Sequence, residues 1–203
     1  MNRLYGEKFK PSQEKSGFVR IVQQTYKLAS KRKNIDEYQY IKELSSDETG
    51  IYIEPEAKEL IICFRGSITA EDWLVSDAFI ALTPFAFRQS PRYRRSKIEV
   101  DRAMLAYPEY DIILIGHSLG GHIATVMWNE LHNIDNDTRF VVYNRGTSPF
   151  EIFTSTPVNY AQRHHYHVHG DWLSDPFMRD KKTNHVLVKP KKNKNLHTYQ
   201  NFI

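Results

Sequence analysis

The segment 111–124 reads DIILIGHSLGGHIA, and it decides which fold this sequence adopts. Four aliphatic residues run into Gly116, and Ser118 is followed by glycines at 120 and 121. The apolar run predicts a buried strand, and the residues from 119 onward predict an amphipathic helix. A serine between them lies on a sharp, strained turn, where flanking side chains would collide with neighbouring backbone. The three glycines are therefore expected, and the pattern predicts an α/β fold.

The rest of the sequence alternates between helical and strand patterns. Helices are predicted over 16–33, 92–107 and about 119–131, and strands over 51–53, 60–64, 112–115, 139–143 and 166–169. No repeat or linker divides the chain. We expect one compact α/β domain over 1–203, with a helical N-terminal part over 1–50. Its central sheet is expected to be mostly parallel and flanked by helices.

Composition restricts the class of protein. The chain has 203 residues, a formal charge of +4 and a single cysteine, Cys63, which excludes an internal disulfide. The mild positive charge does not indicate a nucleic-acid-binding protein. No stretch resembles a signal peptide or reaches the roughly twenty apolar residues of a membrane span. We therefore expect a soluble, intracellular protein.

Ser118 is the candidate nucleophile. The turn holds it near the positive end of the following helix, and the backbone N–H of Leu119 is then free to donate to an oxyanion. The alternative is a glycine-rich helix entry without chemistry. The strand before the motif and the helix after it favour catalysis.

A second motif, FRGS at 64–67, follows an upstream strand and precedes DWL at 72–74. Together with GHSLGG at 116–121, these motifs resemble the class 3 (fungal-type) lipase family of the α/β hydrolases. The resemblance runs from about residue 51 onward, and it implies the α/β-hydrolase fold and an ester hydrolase without a cofactor. It also implies that Ser67 supplies the second oxyanion donor. In the alternative interpretation, FRGS is only a strand end with Arg65 in an ion pair.

The orienting acid is expected to follow the serine, because α/β hydrolases carry their triad in the order Ser…Asp…His. Asp171 lies just past a predicted strand, in a glycine turn, which fits this role. The sequence departs from the family in carrying a second acid, Asp175, directly before Pro176. We favour Asp171 and interpret Asp175 as a turn residue or helix cap.

Two histidines downstream are candidates for the general base. His197, in LHTYQNFI, resembles the late histidine of the family, which lies on a loop before a short terminal helix. His185, in TNHVLV, has the pattern of a strand residue. We favour His197; otherwise it is an exposed histidine of a terminal tail. Tyr199, Phe202 and Ile203 are expected to dock this tail on the body.

Two further patterns have alternative interpretations. His165, His167 and His169 would share one face of a strand and could bind zinc, but the ligand set is thin and we predict no metal. The basic runs 31–33, 92–95 and 189–192 are interpreted as solvated faces, with contacts to anionic lipid headgroups as the weaker hypothesis.

The segment 68–90 is rich in aromatic residues, and in the class 3 lipases the corresponding segment includes a helical lid. It is either a mobile apolar cover or ordinary core.

The sequence therefore predicts a serine hydrolase that cleaves carboxylic esters of lipids, as a lipase, phospholipase or esterase, through Ser118, Asp171 and His197. Two other classes stay open. The same constellation could hydrolyse a thioester or an amide, and an inactive hydrolase fold could serve as a lipid-binding module. The expected partner is a lipid or small ester, with no nucleic acid.

Overall fold

The computed structural model describes residues 13–68, 87–131, 138–146, 163–171 and 184–203. The helices are α1 (Gln13–Thr25), α2 (Pro91–Ala106) and α3 (Leu119–Leu131), with 3-10 turns at Ala29–Lys31, Lys42–Leu44 and Tyr199–Asn201. The strands are β1 (Gln39–Tyr40), β2 (Thr49–Glu54), β3 (Glu59–Phe64), β4 (Asp111–His117), β5 (Arg139–Tyr143), β6 (Arg163–Val168) and β7 (Asn184–Val188).

The described strands form one seven-stranded sheet whose spatial order equals their order in the sequence. β1 and β2 pair antiparallel, as do β2 and β3, whereas the strands from β3 to β7 are all parallel. The predicted mostly parallel sheet is confirmed. Because the carboxyl ends of parallel strands meet at one edge, the residues that follow β3, β4, β5 and β6 lie close to one another.

The inner strands β2 to β5 are buried on both faces, in agreement with their continuous apolar sequences. In β3, Leu60, Ile62 and Phe64 pack into a core with α2 and α3. The alternate residues Ile61 and Cys63 pack into a second core with α1. The chain is therefore layered helix, sheet, helix, with the two cores on opposite faces of β3, β4 and β5.

Helix α1 ends at Thr25, so the prediction of a helix over 16–33 is wrong in its last turns. The physical reason is Arg32, which turns inward and is buried. Its guanidinium donates to five backbone carbonyls, those of Thr25, Lys27, Ser46, Asp47 and Thr49. A continuing helix could not deliver the side chain to this position.

The N-terminus of α2 is fixed to the end of β3. Ser90 caps the helix by accepting from the Tyr93 N–H at 3.2 Å. Arg92 Nη1 lies 2.6 Å from Oε2 of Glu48, and Arg92 Nη2 donates to the Arg65 carbonyl at 3.0 Å. Burial favours a higher pKa for the Glu48 carboxyl, but Arg95 and Arg92 outweigh it and lower that pKa. The basic runs 31–33 and 92–95 are therefore not simply solvated, because each contains a largely buried arginine.

Candidate active site

The turn between β4 and α3 has the strained geometry that its glycines predict. Ser118 has a φ of 55°, in the left-handed region. A Cβ atom at Gly116 would lie 2.2 Å from the Gly120 carbonyl oxygen, and one at Gly120 would lie 2.0 Å from the Phe64 carbonyl oxygen. Neither contact is tolerable, so only glycine fits at these two positions.

Three side chains form a continuous hydrogen-bonded series at this turn. The His197 Nε2 atom lies 2.8 Å from the Ser118 hydroxyl oxygen. The His197 Nδ1 atom lies 2.7 Å from Oδ2 of Asp171, whose residue is only 2% exposed. A carboxylate can only accept, so Nδ1–H donates to Asp171 and Nε2 accepts from the serine. Three residues predicted separately from the sequence thus lie in contact.

Asp171 owes its position to the end of β6. The strand ends at Val168, one residue earlier than predicted, and Gly170 then takes a φ of 85°. The Asp171 N–H donates to the Val168 carbonyl at 3.2 Å, which closes the turn. The alternative acid, Asp175, lies outside the described residues.

His185 is part of β7, as its strand pattern predicts, and its backbone pairs with that of His165. His197 lies instead on a loop before the 3-10 turn Tyr199–Asn201. His197, the histidine favoured from the sequence, contacts Ser118 through its Nε2 atom.

The loop that carries His197 is docked by two asparagines. Asn144, which follows β5, donates to the Leu196 carbonyl at 2.9 Å. The side-chain amide of Asn201 donates to the carbonyls of Asn195, Leu196 and Thr198. Its oxygen accepts from the Lys191 N–H at 2.9 Å. These bonds cross-link the loop to itself and to the sheet edge.

Aromatic packing adds to this docking. Tyr199 stacks on Tyr26 at a ring separation of 5.1 Å, and Phe202 lies 5.1 Å from Tyr143. Tyr199 and Phe202 therefore pack on the body as expected. Ile203 does not, because it is 51% exposed.

The FRGS turn lies against the nucleophile turn, in agreement with the position expected for an oxyanion donor. A Cβ atom at Gly66 would lie 2.7 Å from the His117 carbonyl oxygen and 3.2 Å from Cβ of Ser118. Gly66 is therefore required for this approach, and Ser67 follows it directly. Leu119 begins α3 immediately after the serine. Arg65, expected in an ion pair in the alternative interpretation, contributes its carbonyl to Arg92.

Two residues of the site were not recognised from the sequence. His117 is buried, with Nδ1 2.7 Å from the Tyr26 hydroxyl and Nε2 2.7 Å from the His197 carbonyl oxygen. Burial, and then the neighbouring His197, lower the pKa of His117 from 6.5 to about 3, so its ring is neutral. The sequence feature that could have identified His117 is its place at the end of an otherwise aliphatic strand. No feature of the sequence marks Tyr26, which lies just beyond α1.

The histidine tract of β6 was the candidate metal site. His165 and His167 share a face, as predicted, with ring centroids 5.1 Å apart. His165 Nε2 accepts from the Arg145 N–H at 3.2 Å. Among the described residues, no three histidine, cysteine or acidic side chains come together as metal ligands.

Of the segment considered as a lid, 68–90, only residue 68 and residues 87–90 are described. Ile68 is 54% exposed and Phe87 is buried. The DWL motif at 72–74 lies outside the described residues, so the lid stays a prediction.

The α/β-hydrolase class is defined by a parallel sheet with a strained serine turn at its carboxyl edge. In this class an acid follows a later strand, and a histidine comes after the acid. Solved structures agree on the fold. The chain matches the Lip2 lipase of Yarrowia lipolytica with a TM-score of 0.60 and 17% identity, covering 91% of this chain and 82% of that one. It matches a triacylglycerol lipase of Penicillium expansum with a TM-score of 0.56 and 19% identity, covering 88% and 79%.

Within that class, residues 61–157 match the family model described as "Lipase (class 3)". A secreted mono- and diacylglycerol lipase A of Penicillium cyclopium is 24% identical over 106 residues, which is 46% of this chain. Over these residues the chain is similar to the class 3 (fungal-type) lipases, and the resemblance seen in its motifs is confirmed. The match spans only 35% of the Penicillium cyclopium enzyme.

The location of the protein stays a prediction. None of the helices in the described parts of the chain combines the length and the apolar character that crossing a membrane requires. The Penicillium relatives are named as secreted enzymes, which does not support the expected intracellular location.

Proposed function

We propose that the protein hydrolyses carboxylic esters of lipids through Ser118, His197 and Asp171. The observation that carries the proposal is the hydrogen-bonded series from the serine hydroxyl through the imidazole to the buried carboxylate. This is the arrangement in which a weakly acidic hydroxyl becomes a nucleophile, because a base lies within hydrogen-bond distance of its proton.

In the proposed reaction, Ser118 Oγ attacks the ester carbonyl while His197 Nε2 accepts the hydroxyl proton. Asp171 orients the imidazole and stabilises its positive charge. The backbone N–H of Leu119 and Ser67 donate to the oxyanion, and each such donor contributes about 10²–10³ in rate. His197 then protonates the departing alcohol. Water, deprotonated by the same histidine, releases the acid from the acyl-enzyme.

A lipid ester is the substrate class that the comparisons favour. The Penicillium cyclopium relative is named as a lipase of mono- and diacylglycerols, and two similar folds are named as lipases. The chain length of the acyl group and the headgroup are not part of the proposal. The proposal is tested against two alternatives: that the protein hydrolyses a thioester or an amide, and that it is an inactive lipid-binding module.

The test is labelling with a fluorophosphonate, followed by a panel of p-nitrophenyl esters, a thioester, an amide and a phospholipid. The wild type should label and cleave esters best. Ser118→Ala should fold normally, fail to label, and lose roughly 10⁴–10⁶ in kcat. Absence of labelling in the wild type would favour the inactive module, and an Ala variant within tenfold of wild type would refute the mechanism.

We further propose that the loop before His197 contacts an anionic lipid surface. Lys189, Lys192 and Lys194 are exposed there, and no acidic residue lies between 189 and 203. Leu196, beside the candidate base, is 37% exposed. Each lysine near an anionic membrane contributes about 1 kcal/mol of binding free energy, and salt screens it.

Vesicle co-sedimentation tests this contact. Binding should be stronger to phosphatidylglycerol-containing vesicles than to phosphatidylcholine vesicles, and it should weaken with added salt. Replacing Lys189, Lys192 and Lys194 by glutamine should remove most of the difference. The control replaces Lys31 and Lys33, which are exposed in the basic run 31–33. An equal effect of both sets would indicate only net charge, and the proposed contact would be wrong.

A further inference from the structure

His117 and Tyr26 connect the three segments that the proposed reaction uses. His117 directly precedes Ser118, and its ring contacts the backbone of the segment that carries His197. Tyr26 contacts the other nitrogen of the same ring. The Tyr26 oxygen also lies against Gly66, the residue before Ser67, because a Cβ atom at Gly66 would lie 2.4 Å from it. One relay thus touches the nucleophile turn, the base loop and the oxyanion turn.

The protons in this relay can be assigned from its chemistry. The His197 carbonyl can only accept, so the proton of the His117 ring resides on Nε2. The ring is neutral, so Nδ1 is an acceptor and the Tyr26 O–H donates to it. Each bond therefore has one donor and one acceptor, and the series has a single direction from Tyr26 to His197.

The relay fixes a part of the base loop that the asparagines do not. Asn201 bonds the carbonyls of Asn195, Leu196 and Thr198, and it passes over His197. Within the described residues, the bond to the His197 carbonyl comes from His117. The Tyr199 ring, stacked on Tyr26 and edge-on to His117 at 5.8 Å, closes the same cluster from the other side.

We propose that Tyr26 and His117 are a positioning pair that sets the main chain of His197 against Ser118, so that the base stays within reach of the serine proton. The proposal rests on the proposed hydrolase function. Neither residue exchanges a proton with substrate. Their effect is on the alignment of the imidazole, and a small misplacement of a reacting group lowers kcat more than substrate binding.

Tyr26→Phe is the primary test, because it removes one oxygen and keeps the ring that stacks on Tyr199. We expect kcat to fall about tenfold, with KM within twofold of wild type and the rate of fluorophosphonate labelling reduced in parallel. Tyr40→Phe is the matched control, since Tyr40 donates one hydrogen bond to the Ala29 carbonyl at 3.0 Å, away from the site. This control should keep the wild-type kcat.

A pair of variants at His117 separates alignment from stability. The amide of His117→Gln can place an N–H where Nε2 lies and donate to the His197 carbonyl, whereas the shorter His117→Asn cannot reach it. The Gln variant should retain several-fold more kcat than the Asn variant at a similar midpoint of thermal unfolding. If the His117 variants do not fold, the comparison of Tyr26→Phe with Tyr40→Phe alone tests the positioning pair.

A readout independent of catalysis is trypsin cleavage at the exposed Lys192 and Lys194. Tyr26→Phe should be cut there faster than both the wild type and Tyr40→Phe, because the loop is less firmly docked. Failure of the wild type to label would refute the proposed function, and the cleavage rates would still test the positioning. Equal kcat and equal cleavage in Tyr26→Phe and Tyr40→Phe would overturn the positioning pair.

Discussion

Ser118 adopts a left-handed backbone conformation that costs a non-glycine residue about 1–3 kcal/mol. Surrounding backbone bonds maintain it. The Ser118 N–H donates to the Tyr143 carbonyl at 3.2 Å, and the Ser118 carbonyl accepts from His122 and Gly146 at 3.1 and 3.2 Å. The hydroxyl is thereby presented to His197 before any substrate binds, which is what preorganisation requires.

The two histidines considered as the base have different expected effects. His197→Ala should lower kcat by roughly 10⁴-fold or more, because it removes the imidazole whose Nε2 accepts the Ser118 proton. His185→Ala, in a strand, should retain at least a tenth of the wild-type rate. Steady-state kinetics on one soluble ester measures both. A dead His185 variant beside an active His197 variant would show that the base is misassigned.

His117 should make the protein sensitive to acid. The unfolded chain binds a proton at His117 below a pH of about 6.5, and the folded chain does so only near 3. The free energy of unfolding therefore falls as the pH drops through this window, by more than about 1 kcal/mol. His117→Gln should show a flatter pH dependence in urea titrations. His197, Asp171 and the tyrosines that face His117 are present in both proteins, so an unchanged slope would contradict the assignment.

Site residues could be predicted from the sequence where the neighbouring residues indicate their position. Ser118 stands between a strand and a helix pattern, Asp171 follows a strand, and His197 precedes an aromatic stretch. Tyr26 and His117 lie 91 positions apart, and no local pattern joins them. Which pair of distant polar groups meets in a core depends on how α1 packs on the sheet.

The element that matters most for the site is the segment after β7. It carries the candidate base, and it is fixed to the body by Asn144 and by the rings of Tyr199 and Phe202. It contains little regular structure of its own. Its position depends on these contacts, and not on helix or sheet hydrogen bonds.

A chain ending at Asn195 should lose activity at least as fully as His197→Ala. It should also be less stable, because the packing of the partly buried Tyr199 and Phe202 contributes at most about 3–5 kcal/mol before ordering costs. Thermal unfolding of the truncated chain, of His197→Ala and of the wild type measures the two effects separately. Equal stability of all three would mean that the segment is only a tail.

The elements with a continuous apolar signal were predicted well. α3 and β5 have the predicted bounds, β3 begins one residue earlier than predicted, and β4 is longer by one residue at its start and two at its end. β1 was not predicted, because a two-residue strand, Gln39–Tyr40, has no periodicity to detect. It exists because its backbone pairs with β2.

At the scale of the whole molecule, the described strands form one sheet in the order of the sequence, with the candidate site at one edge. That edge collects residues that follow β3, β4, β5 and β6, which explains why motifs far apart in sequence meet there. The parallel order could be predicted from alternating helix and strand patterns. The hydrogen bonds between the loops at this edge could not be predicted, because they depend on which distant segments come close in the fold.

A mobile cover over the site would make the rate depend on the physical state of the substrate. We expect the rate per enzyme on a short-chain ester to rise above its solubility limit, because an aggregate can bind apolar side chains in 68–90, such as Ile68, which is exposed. The measurement is hydrolysis across that limit, with a fully soluble ester as control. A rate that simply saturates would favour ordinary core packing.

The separation of nucleophile and base along the chain, 79 positions, also has a consequence for biosynthesis. Synthesis proceeds from the N-terminus, so β3, β4 and the serine turn exist before the loop with His197 has been made. A nascent chain that stops short of that loop carries an unactivated hydroxyl. In the proposed mechanism, translation thus delays esterolysis until the segment that carries His197 is free to dock.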